Sequence, residues 1–327
     1  MTFSLITLSY HSKAQIERCL SALVAQDAEI IHADNGGDLD MAALAKKFPT
    51  VRQMANPVNF GFAVGMNRAV AESAGAWIGL INPDAFIDAG WLNAMKAAIA
   101  RYPDVKLFTS LQLNAEQPDR LDGAGDALTF FGFPYRAGIS HSVPPHMEIA
   151  EVFAPCGAAM LIRRDLWDEL GGFDEDFFCY CEDADLGFRA RLRGERCLFV
   201  PDAIVSHIGS ASLGVRSDFA LYHGYRNRLW LYLKNMPLAL LIATFAIHIG
   251  LTLIGALKDT LRGKGALVFR ALRDAFQGLR PIFEHRKLIQ KTRQIGSLRL
   301  AKSLTWNLQK ILTRQIVRRS IDHRKLP

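Results

Sequence analysis

The feature that most restricts the fold is a pattern, repeated three times, in which a short apolar run ends in polar residues. Between the first two runs, Ile16, Leu20 and Leu23 fall on one face of a helix. Alternating strands and helices with short connections predict an α/β fold with a mostly parallel, Rossmann-like sheet flanked by helices. The three runs are FSLITLSY, EIIHADNGG and WIGLINPDAF.

The polar residues at the ends of these runs predict a ligand site. Open α/β sheets bind ligands beyond the carboxyl ends of their strands, so the strand ends should form one rim. Two acids on such a rim suit a sugar nucleotide or a metal–phosphate group. Asp84 could merely cap its turn, or it could supply a hard oxygen ligand to a divalent cation. The residues expected on this rim are Ser9, Tyr10, Asp34, Asn35, Asn82 and Asp84.

The second half of the chain shows a different pattern. Gly, Pro and His residues over Asp122–Ile149 predict a long loop above the rim. A strand over Ala158–Ile162 and a helix from Asp165 follow. The later run RCLFVPDAIVSH predicts a strand that ends at His207. This imidazole could complete the shell of a metal at Asp84, or it could be structural.

Three acids, Glu182, Asp183 and Asp185, stand directly behind the residues FFCY. Acids favour a helix N-terminus because the helix dipole is positive there, which explains one or two of them. An aromatic-lined pocket would also desolvate a carboxylate and raise its pKa, which favours Asp183 as a general base. Zinc held by Cys179, Cys181 and His207 is a poor alternative, because the C-x-C pair has no second pair.

The C-terminal part is apolar and then basic. Met236–Leu257 carries no formal charge unless His248 is protonated, and as a helix it would reach about 33 Å, enough to cross a bilayer. From Lys258 onward, 18 Lys and Arg stand against 4 Asp and Glu. A single span would place these cations outside, against the positive-inside tendency. We therefore expect a re-entrant or interfacial segment on anionic lipid rather than a nucleic-acid-binding tail.

Leucine and isoleucine residues recur at helical spacing in the basic tail, which predicts an amphipathic helix on the membrane or on its own domain. These residues are Leu300, Leu304, Leu308, Ile311, Leu312 and Ile316. Five scattered cysteines and a start that reads as a strand fit the cytoplasmic face of the inner membrane. We expect a catalytic domain over 1–235, divided at about residue 120 into nucleotide-sugar-binding and acceptor halves, and an appendage over 236–327.

Several motifs, in this order, resemble the inverting glycosyltransferase family 2 and its GT-A fold. They are DNGG, NFGFAVGMN, NPDAF, EDADLGFRARLRG and YRNRLW. The subgroup that the chain resembles is the rhamnosyltransferase-like enzymes of bacterial polysaccharide assembly, over roughly Thr2–Trp230. The resemblance implies transfer of a sugar from a dTDP- or UDP-sugar to a glycan or lipid-linked glycan acceptor, with Mg²⁺ or Mn²⁺ as cofactor.

The resemblance also implies roles for individual residues. Asp183 matches the base that deprotonates the acceptor hydroxyl, and Glu182 would help to orient the acceptor. Asp84 stands in the family's metal-binding Asp-x-Asp motif, whose first Asp is here Asn82, and His207 matches a metal ligand or its neighbour. The residues implied in nucleotide or diphosphate binding are Tyr10, Asp34, Asn59, Gly61, Asn67, Arg226 and Arg228.

Two other functions fit parts of the pattern. A nucleotidyltransferase shares acids at strand ends and nucleotide binding, but it would release pyrophosphate rather than a nucleoside diphosphate. A non-catalytic membrane scaffold could keep the fold without the chemistry. The combination of Asp84, Asp183 and His207 argues against the scaffold.

Overall fold

A large mixed sheet forms the centre of the molecule. The computed structural model describes residues 1–209 and 217–321, and in this part of the chain ten strands join in that sheet while β8 and β9 form a separate hairpin. The strands are β1 (Phe3–Ser9), β2 (Glu29–Asn35), β3 (Val51–Asn56), β4 (Trp77–Ile81), β5 (Ala85–Ile87), β6 (Leu107–Asn114), β7 (Leu121–Gly123), β8 (Asp126–Leu128), β9 (Pro134–Arg136), β10 (Ala150–Val152), β11 (Ala159–Arg163) and β12 (Cys197–His207).

The order of the strands brings the predicted strand ends together. The main path runs β10-β12-β6-β11-β4-β1-β2-β3, with β5 beside β12 and β7 beside β6. Strands β4, β1, β2 and β3 are parallel, as is the pair β6 and β12, whereas β11 runs antiparallel to both of its neighbours. The predicted mostly parallel α/β architecture is confirmed; β11 is an antiparallel strand within the main path, and the short strands β5, β7 and β10 also pair antiparallel with their neighbours.

Helices cover both faces of the sheet because successive side chains of each buried strand point to opposite sides. On β1, for example, Leu5 packs with Leu20 on one face, and Ile6 packs with Met66 on the other. The helices are α1 (Ile16–Val24), α2 (Met41–Lys47), α3 (Phe62–Ala71), α4 (Trp91–Arg101), α5 (Arg164–Leu170), α6 (Glu182–Leu192), α7 (Asp218–Asn235), α8 (Leu238–Asp259), α9 (Gly265–Gln277), α10 (Leu279–Thr292), α11 (Ser297–Ser303) and α12 (Leu308–Leu312).

The predicted long loop over Asp122–Ile149 contains structure of its own. Strands β8 and β9 pair as a short antiparallel hairpin. Its second strand ends at Arg136, which reaches back toward the sheet. The segment therefore contains regular secondary structure beside the strand ends rather than being a structureless loop.

The part of the chain predicted as a C-terminal appendage packs on the sheet-containing part. Within the described residues, one helix is long and apolar enough to cross a membrane; it runs from Leu238 to Gln277 across a π-helical kink at Thr260–Lys264. The apolar pattern from Leu300 to Ile316 does not form one helix, because α11 and α12 are separated by an extended stretch at Leu304–Asn307. Leu300 and Leu304 are buried in the body of the protein, so the tail helix is wrong as predicted.

The last described residues make backbone hydrogen bonds to the part of the chain that follows the hairpin. The backbone of Arg319 pairs with that of Glu151, and the Gly138 amide donates to the carbonyl of Arg314. This part of the basic tail is thus held by backbone hydrogen bonds to the sheet-containing part of the chain. Residues 322–327 of the predicted appendage lie outside the described residues.

Candidate active site

The three acids at the start of α6 have different surroundings. Asp185 is fully buried, and its carboxylate accepts hydrogen bonds from Arg189, Lys234 and Asn235 at 2.6–2.7 Å. Glu182 and Asp183 instead border an open cavity. Asp185 is therefore part of a buried ion-pair network, and the other two acids are available to a substrate.

Asp183 is held in place by backbone amides. The Gly157 amide donates to its Oδ2 at 2.8 Å, and the Ala184 amide donates to its Oδ1 at 2.7 Å. Burial raises the pKa of Asp183 in spite of these bonds and of the nearby Arg136 guanidinium. A base works best with a pKa raised toward the working pH, which is the direction of this shift.

The neighbouring Glu182 is more strongly perturbed. Burial, together with the charge of Asp183, raises the pKa of Glu182 to about 8. Its Oε2 atom is buried and has no hydrogen-bond partner among the described residues. Glu182 therefore takes up a proton more readily than an exposed glutamate, and in the protonated form it can donate a hydrogen bond to a ligand in the cavity.

Strand register brings Asp84 and His207 together at another part of the cavity lining. Strand β5 pairs with β12 so that Ala85 lies opposite His207. The Nε2 atom of His207 lies 3.3 Å from Oδ1 of Asp84, and its Nδ1 lies 2.6 Å from Oδ2 of Asp122. Although burial alone would lower it, these two carboxylates raise the pKa of His207.

The structure adds Asp122 to the predicted pair. It lies on β7, and it also accepts a hydrogen bond from Arg136 of the hairpin. Burial would raise the pKa of Asp122, but His207 and Arg136 hold it below its usual value. No motif marks Asp122 or Arg136 in the sequence, because both lie in the segment that the composition predicts as a loop.

One cavity of about 490 Å³ is lined both by the acids at the start of α6 and by Asp84 and His207. It contains nine of the residues predicted from the sequence, so Asp183 and Asp84 border one space. Arg136 and the aromatic side chains of Phe178, Tyr180 and Phe219 also line it. The nine predicted residues are Tyr10, Asn35, Asn59, Gly61, Asn82, Asp84, Glu182, Asp183 and His207.

One side of the cavity is a hydrogen-bonded loop ahead of α3. The Asn35 amide donates to Asn59 Oδ1 at 2.9 Å and to the Gly61 carbonyl at 3.1 Å, and the Gly61 amide donates to Asn59 Oδ1 at 2.8 Å. Gly61 has φ 86°, and a Cβ there would lie 2.5 Å from the Phe178 ring. Only glycine therefore fits this position, which lets the backbone approach the cavity.

Five predicted residues lie outside the cavity wall, and one of them, Arg228, lies over the ring of Phe133. Ser9 and Asp34 are buried behind the rim, where the Ser9 hydroxyl lies 3.0 Å from Asp34 Oδ1 and the Gly37 amide donates to Asp34 Oδ2. Asn67 exchanges hydrogen bonds with the backbone of Phe173. Arg226 donates to the Phe177 carbonyl at 2.9 Å. The nucleotide contacts expected of these five stay predictions.

A buried asparagine organises the loop that leads into α6. The Nδ2 atom of Asn227 lies 2.8–2.9 Å from the carbonyl oxygens of Phe177, Cys179 and Tyr180. In this loop Phe178, Tyr180 and Cys181 all have φ between 64° and 70°. Non-glycine residues in that region are strained and persist only when their surroundings enforce them. Asn227, in the motif YRNRLW, thus holds the strained loop just before Glu182 and Asp183.

The cavity fits a divalent cation near Asp84. Among its described lining residues, Arg136 is the only Lys or Arg, whereas Asp84, Glu182 and Asp183 are acids, and Asp122 stands behind His207. The hydrogen bond to Asp122 orients the His207 ring, which leaves Nε2 facing Asp84. One carboxylate and one imidazole are a suitable donor pair for a metal that keeps its remaining positions for water or substrate.

A second cluster of possible metal ligands lies outside the cavity. Ligand atoms of Asp174, Asp176 and His285 lie within 4.8 Å of one another. Lys234 already forms an ion pair with Asp174, and none of these residues borders the cavity that contains Asp84. Burial would raise the pKa of Asp174, but His285 and Lys234 hold it well below its usual value. Its charge is thus compensated within the protein.

A family model described as "Glycosyltransferase like family 2" matches residues 2–231, which include every predicted site residue. The chain belongs to this family. It is therefore a glycosyltransferase, and the predicted resemblance is confirmed. Its relatives include N-acetylglucosaminyl-diphospho-decaprenol L-rhamnosyltransferase of Mycobacterium tuberculosis, with 27% identity over 249 residues, 67% of this chain and 80% of the relative.

Solved structures confirm the GT-A fold of this glycosyltransferase. Residues 1–349 of S. aureus TarS in complex with UDP-GlcNAc align with a TM-score of 0.57 at 18% identity, covering 97% of this chain and 93% of that one. GalNAc-T7 with UDP, GalNAc and Mn²⁺ aligns with a TM-score of 0.58 at 15% identity, covering 72% of this chain. The chain spans about half of the GalNAc-T7 chain (48%). These identities support the fold alone.

Proposed function

We propose that this glycosyltransferase moves a sugar, with rhamnose as the first candidate, from a dTDP- or UDP-sugar to a hydroxyl of a glycan or lipid-linked glycan, with inversion at the anomeric carbon. The observation that carries the proposal is a single cavity that both Asp183 and Asp84 line. The mycobacterial relative supports the choice of rhamnose and of a polyprenyl-linked acceptor.

The reaction is a single displacement. The Asp183 carboxylate takes the proton of the acceptor hydroxyl while its oxygen forms a bond to the anomeric carbon. The bond from that carbon to the diphosphate oxygen breaks, and the nucleoside diphosphate leaves. The Gly157 amide fixes Asp183, and the protonated Glu182 donates a hydrogen bond to the acceptor and orients it. No covalent enzyme intermediate is needed.

Asp84 and His207 would hold the divalent cation, and Asn82 would lie beside it. When bound, the cation supplies positive charge that stabilises the leaving diphosphate. A carboxylate with an imidazole suits Mn²⁺ better than Mg²⁺, which prefers oxygen ligands. The Mn²⁺ in the related GalNAc-T7 structure is consistent with this choice.

The donor would enter between the strand ends and the loop ahead of α3. Tyr10 offers its ring to the base, and Asn59 and Gly61 shape the path of the diphosphate; Asp34 would read the base from behind the rim. Arg226 and Asn67 lie away from the cavity. If they act on the donor, they do so through the loops that they hold.

The acceptor would be presented at the cytoplasmic face of the inner membrane. The apolar appendage supports membrane association, because the described part of the chain contains one helix of suitable length and composition. A lipid-linked acceptor has its polar end at this surface. A transferase held there meets acceptor and soluble donor together.

The test is to incubate the purified protein with a panel of nucleotide sugars, with Mn²⁺ or Mg²⁺, and to identify the released product. We expect a nucleoside diphosphate from a dTDP- or UDP-sugar, with greater turnover in Mn²⁺. Release of pyrophosphate would instead indicate a nucleotidyltransferase. No turnover with any donor, in the presence of lipid-linked acceptor, would favour the non-catalytic scaffold.

A further inference from the structure

Helix α8 buries polar side chains and exposes apolar ones, the opposite of what is expected for a helix on the surface of a soluble protein. Its three buried residues are polar, namely Thr244, His248 and Thr252. Its large apolar side chains are turned outward; Ile242 is 69% exposed and Ile254 is 65% exposed. A helix on a soluble domain normally buries its apolar stripe and exposes its polar one. Exposed apolar patches of this kind mark a contact with a partner or a membrane.

The polar stripe fixes α8 alongside the catalytic domain. His248 Nδ1 lies 2.8 Å from the Phe131 carbonyl, and its ring stacks on Tyr232 with centroids 3.9 Å apart. The Tyr232 hydroxyl lies 2.9 Å from Thr244 Oγ1. If α8 crossed a bilayer with these contacts intact, the adjoining polar domain would enter the hydrocarbon. If it crossed alone, the polar stripe would lose its partners there.

The charge around α8 selects the kind of surface that it meets. Over the described residues 258–321, 16 Lys and Arg stand against 3 Asp and Glu. On α9 and α10, Phe269, Phe276 and Phe283 are exposed at seven-residue intervals among these cations. Apolar and aromatic side chains interleaved with Lys and Arg are typical of helices that lie in the interface of an anionic membrane.

We infer that α8 lies flat in the headgroup region of an anionic bilayer with its Ile242–Ile254 face inward, and that it does not span the membrane. This inference rests on the proposed function, because docking on a membrane serves a transferase whose acceptor is linked to a lipid. It identifies the docking surface and places both ends of α8 on the same side of the bilayer. The sequence alone favours a re-entrant or interfacial segment over a span but does not choose between these two.

Point substitutions test the docking face better than a truncation, because removal of residues 236–327 would expose Trp230 and Tyr232 of the core. We expect Ile242→Glu and Ile254→Glu each to weaken binding to phosphatidylcholine–phosphatidylglycerol vesicles at least tenfold, from the lost burial of one large apolar side chain. The matched control is Val24→Glu, an exposed valine of α1 (38% exposed), which should bind as the parent does. Vesicle binding that is unchanged in both α8 variants would overturn the proposal.

Depth measurements separate lying from spanning. Spin labels at Ile242→Cys and Leu257→Cys would sit about 22 Å apart along the helix, with the background of the native cysteines measured on the parent chain. We expect equal, shallow depths in the vesicles. A difference of about 20 Å would show a span and overturn the inference.

Other outcomes remain distinguishable. A dimer in vesicle-free buffer that Ile254→Glu dissociates, with unchanged vesicle binding, would show that a second copy covers the face. The α8 variants should still release nucleoside diphosphate in detergent with a short-chain acceptor. If the parent protein binds vesicles as expected but releases no nucleoside diphosphate from any donor, the proposed function fails and the docking surface stands.

Discussion

Replacing Asn227 with alanine should loosen the loop Phe177–Cys181 without removing either acid that borders the cavity. Three carbonyl oxygens would lose a donor that lies 2.8–2.9 Å away, although the carbonyl of Phe177 would keep its hydrogen bond from Arg226. A buried acceptor left unpaired costs about 1–3 kcal/mol, and water entering the space recovers part of that, so we expect a loss of stability of about 2–4 kcal/mol. The strained residues Phe178, Tyr180 and Cys181 would then relax.

Relaxation of this loop should move the start of α6, and with it Asp183. A displacement of about 1 Å at a reacting group costs roughly 100-fold in rate, so we expect kcat of Asn227→Ala to fall by about that factor. The affinity for the nucleoside diphosphate should change less than kcat, because the loop ahead of α3 that is proposed to shape the diphosphate path keeps its own hydrogen bonds. Steady-state kinetics and calorimetric titration with the nucleotide measure the two quantities separately.

Asn235→Ala is the matched control for this variant. Asn235 is also fully buried on α7, but its amide donates to Asp185 rather than to the loop. We expect a comparable loss of thermal stability with nearly normal turnover of the folded protein. If both variants lost kcat in proportion to their stability, the role of Asn227 in positioning the base would be refuted.

Three further predictions follow from the buried charges. The pKa of Glu182 has its ordinary value of 4.5 in the unfolded chain, and burial raises it to about 8 in the folded protein, so stability should fall as the pH rises between these values. Glu182→Gln should flatten this dependence in thermal melts from pH 5 to 8, and an unchanged slope would contradict it. Lys234→Met should destabilise the protein by about 3–5 kcal/mol in urea unfolding, because it removes the buried cation that Asp174 and Asp185 share and leaves His285 and Arg189 to pair with them; a neutral effect would show that these two partners suffice. Asp122→Asn should weaken Mn²⁺ binding by about 10- to 100-fold in calorimetry without donor, and undiminished affinity would exclude Asp122 as the residue that orients the histidine.

Much of the site could be predicted because it lies at strand ends. Asp84, Asn82 and Asn35 follow apolar runs directly, and the parallel arrangement of β1, β2 and β4 brings such residues together whatever the details of packing. Asp183 could be placed because the acids follow an aromatic run at a helix start. Local pattern was sufficient for these residues.

Residues that depend on tertiary contacts could not be predicted. The composition around Asp122 and Arg136 indicates a loop, and only the pairing of β7 with β6 and of β8 with β9 brings them to His207. Asp185 looks like its neighbours Glu182 and Asp183 in sequence, but Lys234, 49 positions later, gives it a different role. The apolar spacing after Leu300 is helical in pattern, yet packing on the catalytic domain breaks it into two short helices.

The central claim is that the carboxylate of Asp183 removes the acceptor proton in a cavity where the donor is held by other residues. The most direct measurement is single-turnover transfer by Asp183→Asn with a saturating nucleotide sugar and Mn²⁺, alongside donor affinity by calorimetry. We expect transfer to fall by at least about 10³-fold, within the range for a lost base, with donor affinity within a few-fold of the parent. Transfer at the parent rate would contradict the account, and loss of donor binding together with transfer would show that Asp183 supports the fold of the site instead.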